Sequence, residues 1–81
     1  MKEIFNGRLY DTDTARVVFT TSGYNDTFTL YRKRNGRFFK EIIEHGRGGY
    51  LEPMTLSEAK DLCIQLMSVD DYIAEFGAVP E

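Results

Sequence analysis

The chain has 81 residues, of which 42% are apolar and 28% charged, and its net charge is −3. A chain of this length has room for one domain with a small core, which excludes large catalytic folds, and its composition is that of a globular protein. The single cysteine excludes an internal disulfide, and no apolar run has the length of a signal peptide or a membrane span. We therefore expect one cytoplasmic domain, residues 1–81, without membrane contact.

The first half of the chain predicts β-strands, between about residues 2 and 45. The run "KEIFNGRLY" is interrupted by Asn6-Gly7, a turn or bulge signal, and "ARVVFTT" is rich in β-branched residues before Ser22-Gly23. After the strands, Gly46-Arg47-Gly48-Gly49 predicts a mobile connection. These segments make about four strands, and a further short strand near Tyr50–Met54 is possible.

The strongest local signal is the hairpin "TFTLYRKRNGRFFKEIIEH". Asn35-Gly36 favours a two-residue type I′ turn between two runs with β character. That turn puts one set of side chains on one face of the hairpin: Phe28, Leu30, Arg32, Phe39, Glu41 and Ile43. The other face then carries Thr29, Tyr31, Lys33, Phe38, Lys40 and Ile42. A three-residue loop with a bulge would shift the pairing by one residue, and the sequence leaves that alternative open.

The second half predicts two helices, at about 56–67 and 69–76. Thr55 and Glu58 have the spacing of a capping box, and the apolar residues that follow recur every three or four positions, with Cys63 on the apolar stripe. A thiol in that position is expected to be buried and unreactive. Ser68 opens the second helix and Gly77 closes it. The predicted fold class is therefore α+β, an antiparallel sheet with both helices packed on one face.

Asp11 and Asp13 in "YDTDTA" have the spacing of paired carboxylates in metal and phosphoryl-transfer sites. The pattern is similar to the D-x-D-x-[TV] motif of haloacid-dehalogenase-type enzymes, but Ala15 replaces the final Thr or Val and the chain is too short for that fold. An EF-hand would need further oxygen ligands that are absent here. Asp side chains also bond to backbone amides at strand ends. We therefore predict a structural role for both residues, with no metal or other cofactor.

Charge is distributed unevenly along the chain. Residues 1–50 carry nine basic and six acidic side chains, whereas residues 51–81 carry one basic and seven acidic side chains. Basic and aromatic residues alternate in the hairpin, and such a mixture fits either a protein interface or a nucleic-acid contact. The predicted binding residues are Tyr31, Arg32, Lys33, Arg34, Arg37, Phe38 and Lys40. The alternative binding surface is the acidic side of the helices, with Asp61, Asp70, Asp71 and Glu75.

Three segments resemble a group of small, mostly uncharacterised proteins from Gram-positive bacteria and their phages and mobile elements. "NGRLYDTDTA" and "TLYRKRNGRFF" resemble the group's NGKLYDTDTA-like and TLYRKKTGEFF-like signatures. The ending "TLSEAKDLCIQLMSVDDYIAEFG" is similar to its helical tail. The resemblance implies an accessory protein that binds a host protein, with anti-CRISPR inhibitors as an analogy. It implies no catalytic residue.

Three functional hypotheses follow from these patterns. The first is a non-enzymatic protein-binding module, an anti-CRISPR-like inhibitor that binds a host defence complex stoichiometrically. The second is an accessory protein that binds nucleic acid through the basic aromatic hairpin, although the net charge of −3 argues against broad affinity for polyanions. The third is a metal enzyme that depends on Asp11 and Asp13. The sequence indicates neither the identity of the partner nor the oligomeric state.

Overall fold

The computed structural model describes residues 1–80 and confirms the α+β class. Six strands precede two helices: β1 Lys2–Phe5, β2 Arg8–Asp11, β3 Arg16–Ser22, β4 Asp26–Arg32, β5 Phe38–Glu44, β6 Gly48–Met54, α1 Leu56–Leu66 and α2 Val69–Phe76. The antiparallel sheet is confirmed, but its four strands are β3 to β6, in chain order, and β1 and β2 form a separate two-stranded sheet that was not predicted.

The β1–β2 hairpin turns at Asn6-Gly7, where the sequence predicted a turn or bulge. Both residues have positive φ angles, 52° for Asn6 and 74° for Gly7. This is the backbone of a type I′ turn, whose twist matches that of the flanking strands. Asn and Gly are the residues that adopt positive φ most readily.

The β4–β5 hairpin has a three-residue loop, so the register expected from a two-residue turn was wrong. Arg32 pairs with Phe38, and the backbone amide of Lys33 donates to the carbonyl of Arg37 at 2.7 Å. Only Gly36 in the loop has a positive φ, 89°, and the Asn35 side chain accepts a hydrogen bond from the Arg37 amide at 3.0 Å. The Asn-Gly pair therefore forms a turn followed by a bulge, the alternative that the sequence left open.

The observed register reassigns the faces of the central strands. Because side chains alternate along a strand, a shift of one residue moves every β5 side chain to the other face relative to β4. Leu30 and Phe38 now share one face of the sheet, and Tyr31 and Phe39 share the other.

The helices cover the first of these faces, as predicted. Leu30 and Phe38 form a buried cluster with Ala59 and Cys63 of α1, and Phe76 of α2 packs against it. Burial of Cys63 raises the pKa of its thiol, which makes the reactive thiolate less accessible at neutral pH. Neither helix within residues 1–80 is long and apolar enough to cross a membrane.

The β1–β2 hairpin covers the other face of the sheet. Tyr10 of β2 forms a second buried cluster with Phe39 and Leu51. The Tyr10 and Phe39 rings meet edge to face with centroids 5.5 Å apart, and Tyr31 stacks on Phe39 at 5.1 Å. Such aromatic pairs add to the free energy gained from burial alone. The four-stranded sheet is therefore packed on both faces.

Residues Gly46 to Gly49 join β5 to β6, whereas the sequence predicted a connection between the hairpin and the helices. They make a short turn into β6, in which Gly48 pairs with Glu44 and Gly49 with Ile43. A Cβ atom on Gly49 would lie only 3.0 Å from the carbonyl oxygen of Ile42. A glycine at this position therefore permits the close approach of the two strands.

Thr55 caps α1 as predicted. Its hydroxyl accepts a hydrogen bond from the Glu58 amide at 3.1 Å, and the Glu58 carboxylate accepts one from the Thr55 amide at 3.0 Å. These two bonds make the capping box. At the start of α2, the Ser68 hydroxyl accepts a hydrogen bond from the Asp71 amide at 3.1 Å.

We predict that Thr55→Ala lowers the free energy of unfolding by about 0.5–2 kcal/mol, because an amide of the first turn loses its acceptor. The measurement is urea denaturation followed by circular dichroism. Ser57→Ala, an exposed position inside the same helix, is the matched control and should change stability little. An equal loss in both variants would mean that the cap is not what stabilises the helix start.

Candidate functional site

Asp11 organises the loop between β2 and β3. Its carboxylate accepts a hydrogen bond from the Asp13 amide at 2.9 Å, and its carbonyl accepts from the Thr14 amide at 3.3 Å. The side chain is almost fully buried. These bonds are typical of an Asx turn, so they support the structural role predicted for Asp11. Asp13, in contrast, is exposed.

A basic cleft lies where this loop meets the β4–β5 turn. Its volume is about 680 Å³. The β2–β3 segment contributes Asp13, Thr14, Ala15 and Arg16, and the β4–β5 segment contributes Arg32, Lys33, Arg34 and Gly36. The lining therefore includes four cationic residues and one acidic residue, Asp13. This arrangement favours an anionic ligand.

Two of the cleft arginines bind the carboxylate of Glu75 on α2. Arg16 makes a bidentate contact, with nitrogen to oxygen distances of 2.9 and 2.7 Å, and Arg32 Nη1 lies 2.8 Å from Glu75 Oε2. The hydrogen bonds from these arginines hold the pKa of Glu75 at about 2. The Glu75 side chain is only 7% exposed, whereas that of Arg16 is 60% exposed. The cluster attaches α2 to the end of the sheet.

Arg32 and Phe38, both predicted to bind a partner, are instead parts of this attachment. The Arg32 guanidinium lies 4.7 Å from the centroid of the Phe38 ring, and it also donates to the backbone carbonyl of Glu75 at 3.1 Å. Phe38 is 1% exposed. It lies in the core beneath the helices because the hairpin register turns it to that face, so it is not accessible to a partner.

Tyr31 and Lys40 are also separated from the cleft. Tyr31 stacks on Phe39 on the face that the β1–β2 hairpin covers. Lys40 lies in the middle of β5, where its ammonium is 3.8 Å from a carboxylate oxygen of Glu52. The seven predicted binding residues therefore do not form one continuous surface.

The turn of the hairpin retains the accessible basic residues. Arg34 and Arg37 are exposed, and neither takes part in an ion pair with any of residues 1–80. Lys33 lies with its ammonium 4.2 Å from the centroid of the Tyr10 ring. Burial, and then the positive charges of Arg37 and Arg8, lower the pKa of Lys33. A bound anion would relieve this repulsion between like charges.

Of the four acidic residues predicted as an alternative binding surface on the helices, three are exposed and Glu75 is not. Asp61, Asp70 and Asp71 are exposed on the helices. Glu75 points towards the sheet and is neutralised by the two arginines, so it is a structural residue rather than part of a solvent-facing acidic surface.

Arg16 is the cleft residue that the sequence interpretation missed. It lies at the start of β3, 16 positions before Arg32 in the chain, but the two residues are paired in neighbouring antiparallel strands. A prediction that β3 pairs with β4 would have placed Arg16 beside Arg32. The sequence predicted the strands but not this pairing.

Comparison of the chain with protein-family models, curated proteins and solved structures gave no match in any of the three. The resemblance to proteins of mobile elements therefore remains a prediction. Among residues 1–80, no group of three or more His, Cys, Asp or Glu side chains is placed to hold a metal ion.

We predict that the loop requires a hydrogen-bond acceptor at Asp11 rather than a negative charge. Asp11→Asn should preserve the bond to the Asp13 amide and unfold close to the wild-type denaturation midpoint. Asp11→Ala should lose about 1 kcal/mol, because that amide loses its partner in a largely buried loop. A calcium- or magnesium-dependent rise in Tm that Asp11→Asn abolishes would contradict the structural role.

For Glu75 we predict a stabilisation that depends on pH. Its pKa falls from the ordinary 4.5 to about 2 in the folded state, so the ionised form stabilises the fold above pH 4.5 and this contribution is lost as the pH falls towards 2. Glu75→Gln should cost about 1–3 kcal/mol at pH 7, a value reduced for the exposure of Arg16.

Urea denaturation of wild type and Glu75→Gln at pH 7 and pH 3 measures this effect. The difference in unfolding free energy between the two proteins should narrow at pH 3. Glu52→Gln is the control, since the Glu52 side chain is 54% exposed and lies 3.8 Å from its cation. A difference for Glu75→Gln that is the same at both pH values would show that its charge is not what stabilises α2.

Proposed function

We propose that this protein is a non-enzymatic binding module that takes an acidic segment of a partner protein into the basic cleft. The observation that carries the proposal is the cleft itself, in which two separate segments of the chain bring together four cations and the carboxylate of Asp13. Arg16 and Arg32 share a single counter-charge, Glu75, and Arg34 is exposed. The cleft thus keeps a surplus of positive charge for a ligand.

The packing of the aromatic residues favours a protein over nucleic acid. Single-stranded nucleic acid usually binds on exposed aromatic rings beside basic residues. Here Phe38 and Phe39 are buried, and Tyr31 is stacked within the second cluster. Without exposed rings, the cleft can bind a polyanion only through charge. The net charge of −3 opposes the approach of a polyanion. Carboxylate side chains on a folded partner need only the guanidinium and ammonium groups.

The resemblance of "NGRLYDTDTA" and "TLYRKRNGRFF" to proteins of phages and mobile elements supports a more specific version of the proposal. In this version the partner is a component of a host defence complex, and the protein inhibits it by stoichiometric binding in the manner of an anti-CRISPR protein. The two similar segments contain every lining residue of the cleft except Arg16. This agreement supports the cleft as the part of the molecule that recognises the partner.

Charge reversal at Arg34 tests the proposal. The partner is first captured from a lysate of the host and identified by mass spectrometry, and its affinity is then measured for purified variants. Arg34→Glu should weaken binding about tenfold or more, equivalent to about 1.4 kcal/mol, mainly through a slower association rate. It should leave Tm nearly unchanged, because an exposed side chain without an ion pair adds little to stability.

The matched control is Arg47→Glu, an exposed arginine in the β5–β6 turn at the other end of the sheet. It makes the same change in net charge and should leave binding largely intact. If both variants weakened binding equally, the effect would come from net charge alone, and the cleft would be rejected as the binding site. Capture of nucleic acid instead, with an affinity that falls steeply between low and physiological salt, would favour the alternative function.

A further inference from the structure

The two edges of the four-stranded sheet differ in how they are protected against pairing with another strand. At the β6 edge, the Leu51 amide donates a hydrogen bond to the Glu3 carboxylate. Pro53 lies two residues further along β6, on the same side of the strand, and has no amide hydrogen to donate. A bonded amide and a proline both prevent another strand from pairing at the β6 edge.

The β3 edge has no such protection. β3 ends the sheet, so no strand among residues 1–80 lies on its outer side. The Gly23 amide donates to the Asp26 carbonyl across the β3–β4 turn at 2.8 Å, and successive residues of an antiparallel strand direct their backbone groups to opposite sides. The backbone groups of Thr20 and Ser22 therefore point away from β4, and both residues are exposed.

The sequence of the β3 edge is uncharged between Arg16 and Asp26. Residues 17–25 read VVFTTSGYN, which is rich in β-branched residues and contains no Lys, Pro or acid that would oppose pairing. A bulge between Val17 and Phe19 limits pairing to the regular segment that follows it. Charge occurs only at the two ends of the edge, where Arg16 is basic and Asp26 is acidic.

We infer that a second copy of this chain pairs with this edge, β3 antiparallel to β3, and joins the two four-stranded sheets into one. A two-fold axis at Thr21 places Thr20 of one copy opposite Ser22 of the other, and each such pair exchanges both of its N–H···O bonds. Antiparallel pairing brings the Arg16 end of each strand towards the Asp26 end of the other. A parallel strand would place like charges together.

The surroundings of β3 are compatible with a second copy. Asp26 makes no ion pair with any of residues 1–80, and Arg16 is 60% exposed although it contacts Glu75. On the helix face, a groove of about 430 Å³ separates Phe19 from Met67 and leaves space for side chains of an added strand. An unrelated extended segment would satisfy the same backbone groups, but the opposite charges at the two ends of this edge match the edge itself.

Sedimentation equilibrium of the full chain tests the inference. We expect a monomer–dimer equilibrium at protein concentrations of about 10 μM to 1 mM, a range that suits a short interface. Thr21→Lys should weaken the dimer about tenfold or more, because two ammonium groups would meet at the two-fold axis. Thr21 is exposed, so Tm should change little. Ser57→Lys makes the same change in charge at an exposed position of α1 and should leave the dimer intact.

Cross-linking tests the register and remains informative if Thr21→Lys fails to fold. Directly opposed residues of neighbouring strands lie close enough for a disulfide, so Thr21→Cys should form a covalent dimer under mild oxidation. The native Cys63 is buried and should not react. Ser57→Cys is the matched control and should cross-link about tenfold more slowly or less.

Three outcomes would overturn the inference. The first is a chain that stays monomeric at the highest of these concentrations, including one that instead binds an extended segment of another protein along β3. The second is a dimer that Thr21→Lys leaves intact. The third is equal cross-linking of the two cysteine variants. Arg34→Glu should leave the dimer unchanged, so failure of the β3 pairing and failure of the basic cleft can be distinguished.

Discussion

The register of the β4–β5 hairpin determines the rest of the structure. These two strands are the centre of the four-stranded sheet, and both faces of the sheet are covered. With Arg32 opposite Phe38, the side chains of Leu30 and Phe38 meet the helices, while Tyr31 and Phe39 meet the β1–β2 hairpin. A slip of one residue would exchange these partners along a whole strand. The three-residue loop that ends at Gly36 therefore determines the composition of both cores.

The same register explains why Arg32 is a structural residue. It projects from the end of β4 on the helix face, where Phe38 lies beneath its guanidinium and Glu75 accepts its hydrogen bonds. Removing a carboxylate from water is costly, and several charge-assisted bonds are needed to offset that cost. Glu75 obtains them from Arg16 and Arg32 together. Because two cations share one anion, the cluster that anchors α2 also leaves positive charge beside the cleft.

The elements could be predicted from the sequence because their signals are local. The capping box at Thr55, the change from strand to helix periodicity and both Asn-Gly turns are found where the sequence indicated. The hairpin register could not be predicted, because Asn-Gly fits a two-residue turn and also a turn with a bulge. The apolar pattern does not choose between them. Phe38 and Phe39 are adjacent and both apolar, so either one can face either core.

For the candidate site, too, the local features could be predicted from the sequence and the long-range contacts could not. The concentration of charge in the hairpin pointed to Lys33 and Arg34, which line the cleft. This pattern of charge could not show that Phe38 is buried, because its burial follows from the hairpin register. It also could not show that Arg16 lies beside Arg32, because their proximity follows from the pairing of β3 with β4. Long-range pairing decides which charges meet, and a linear pattern of charges contains no such information.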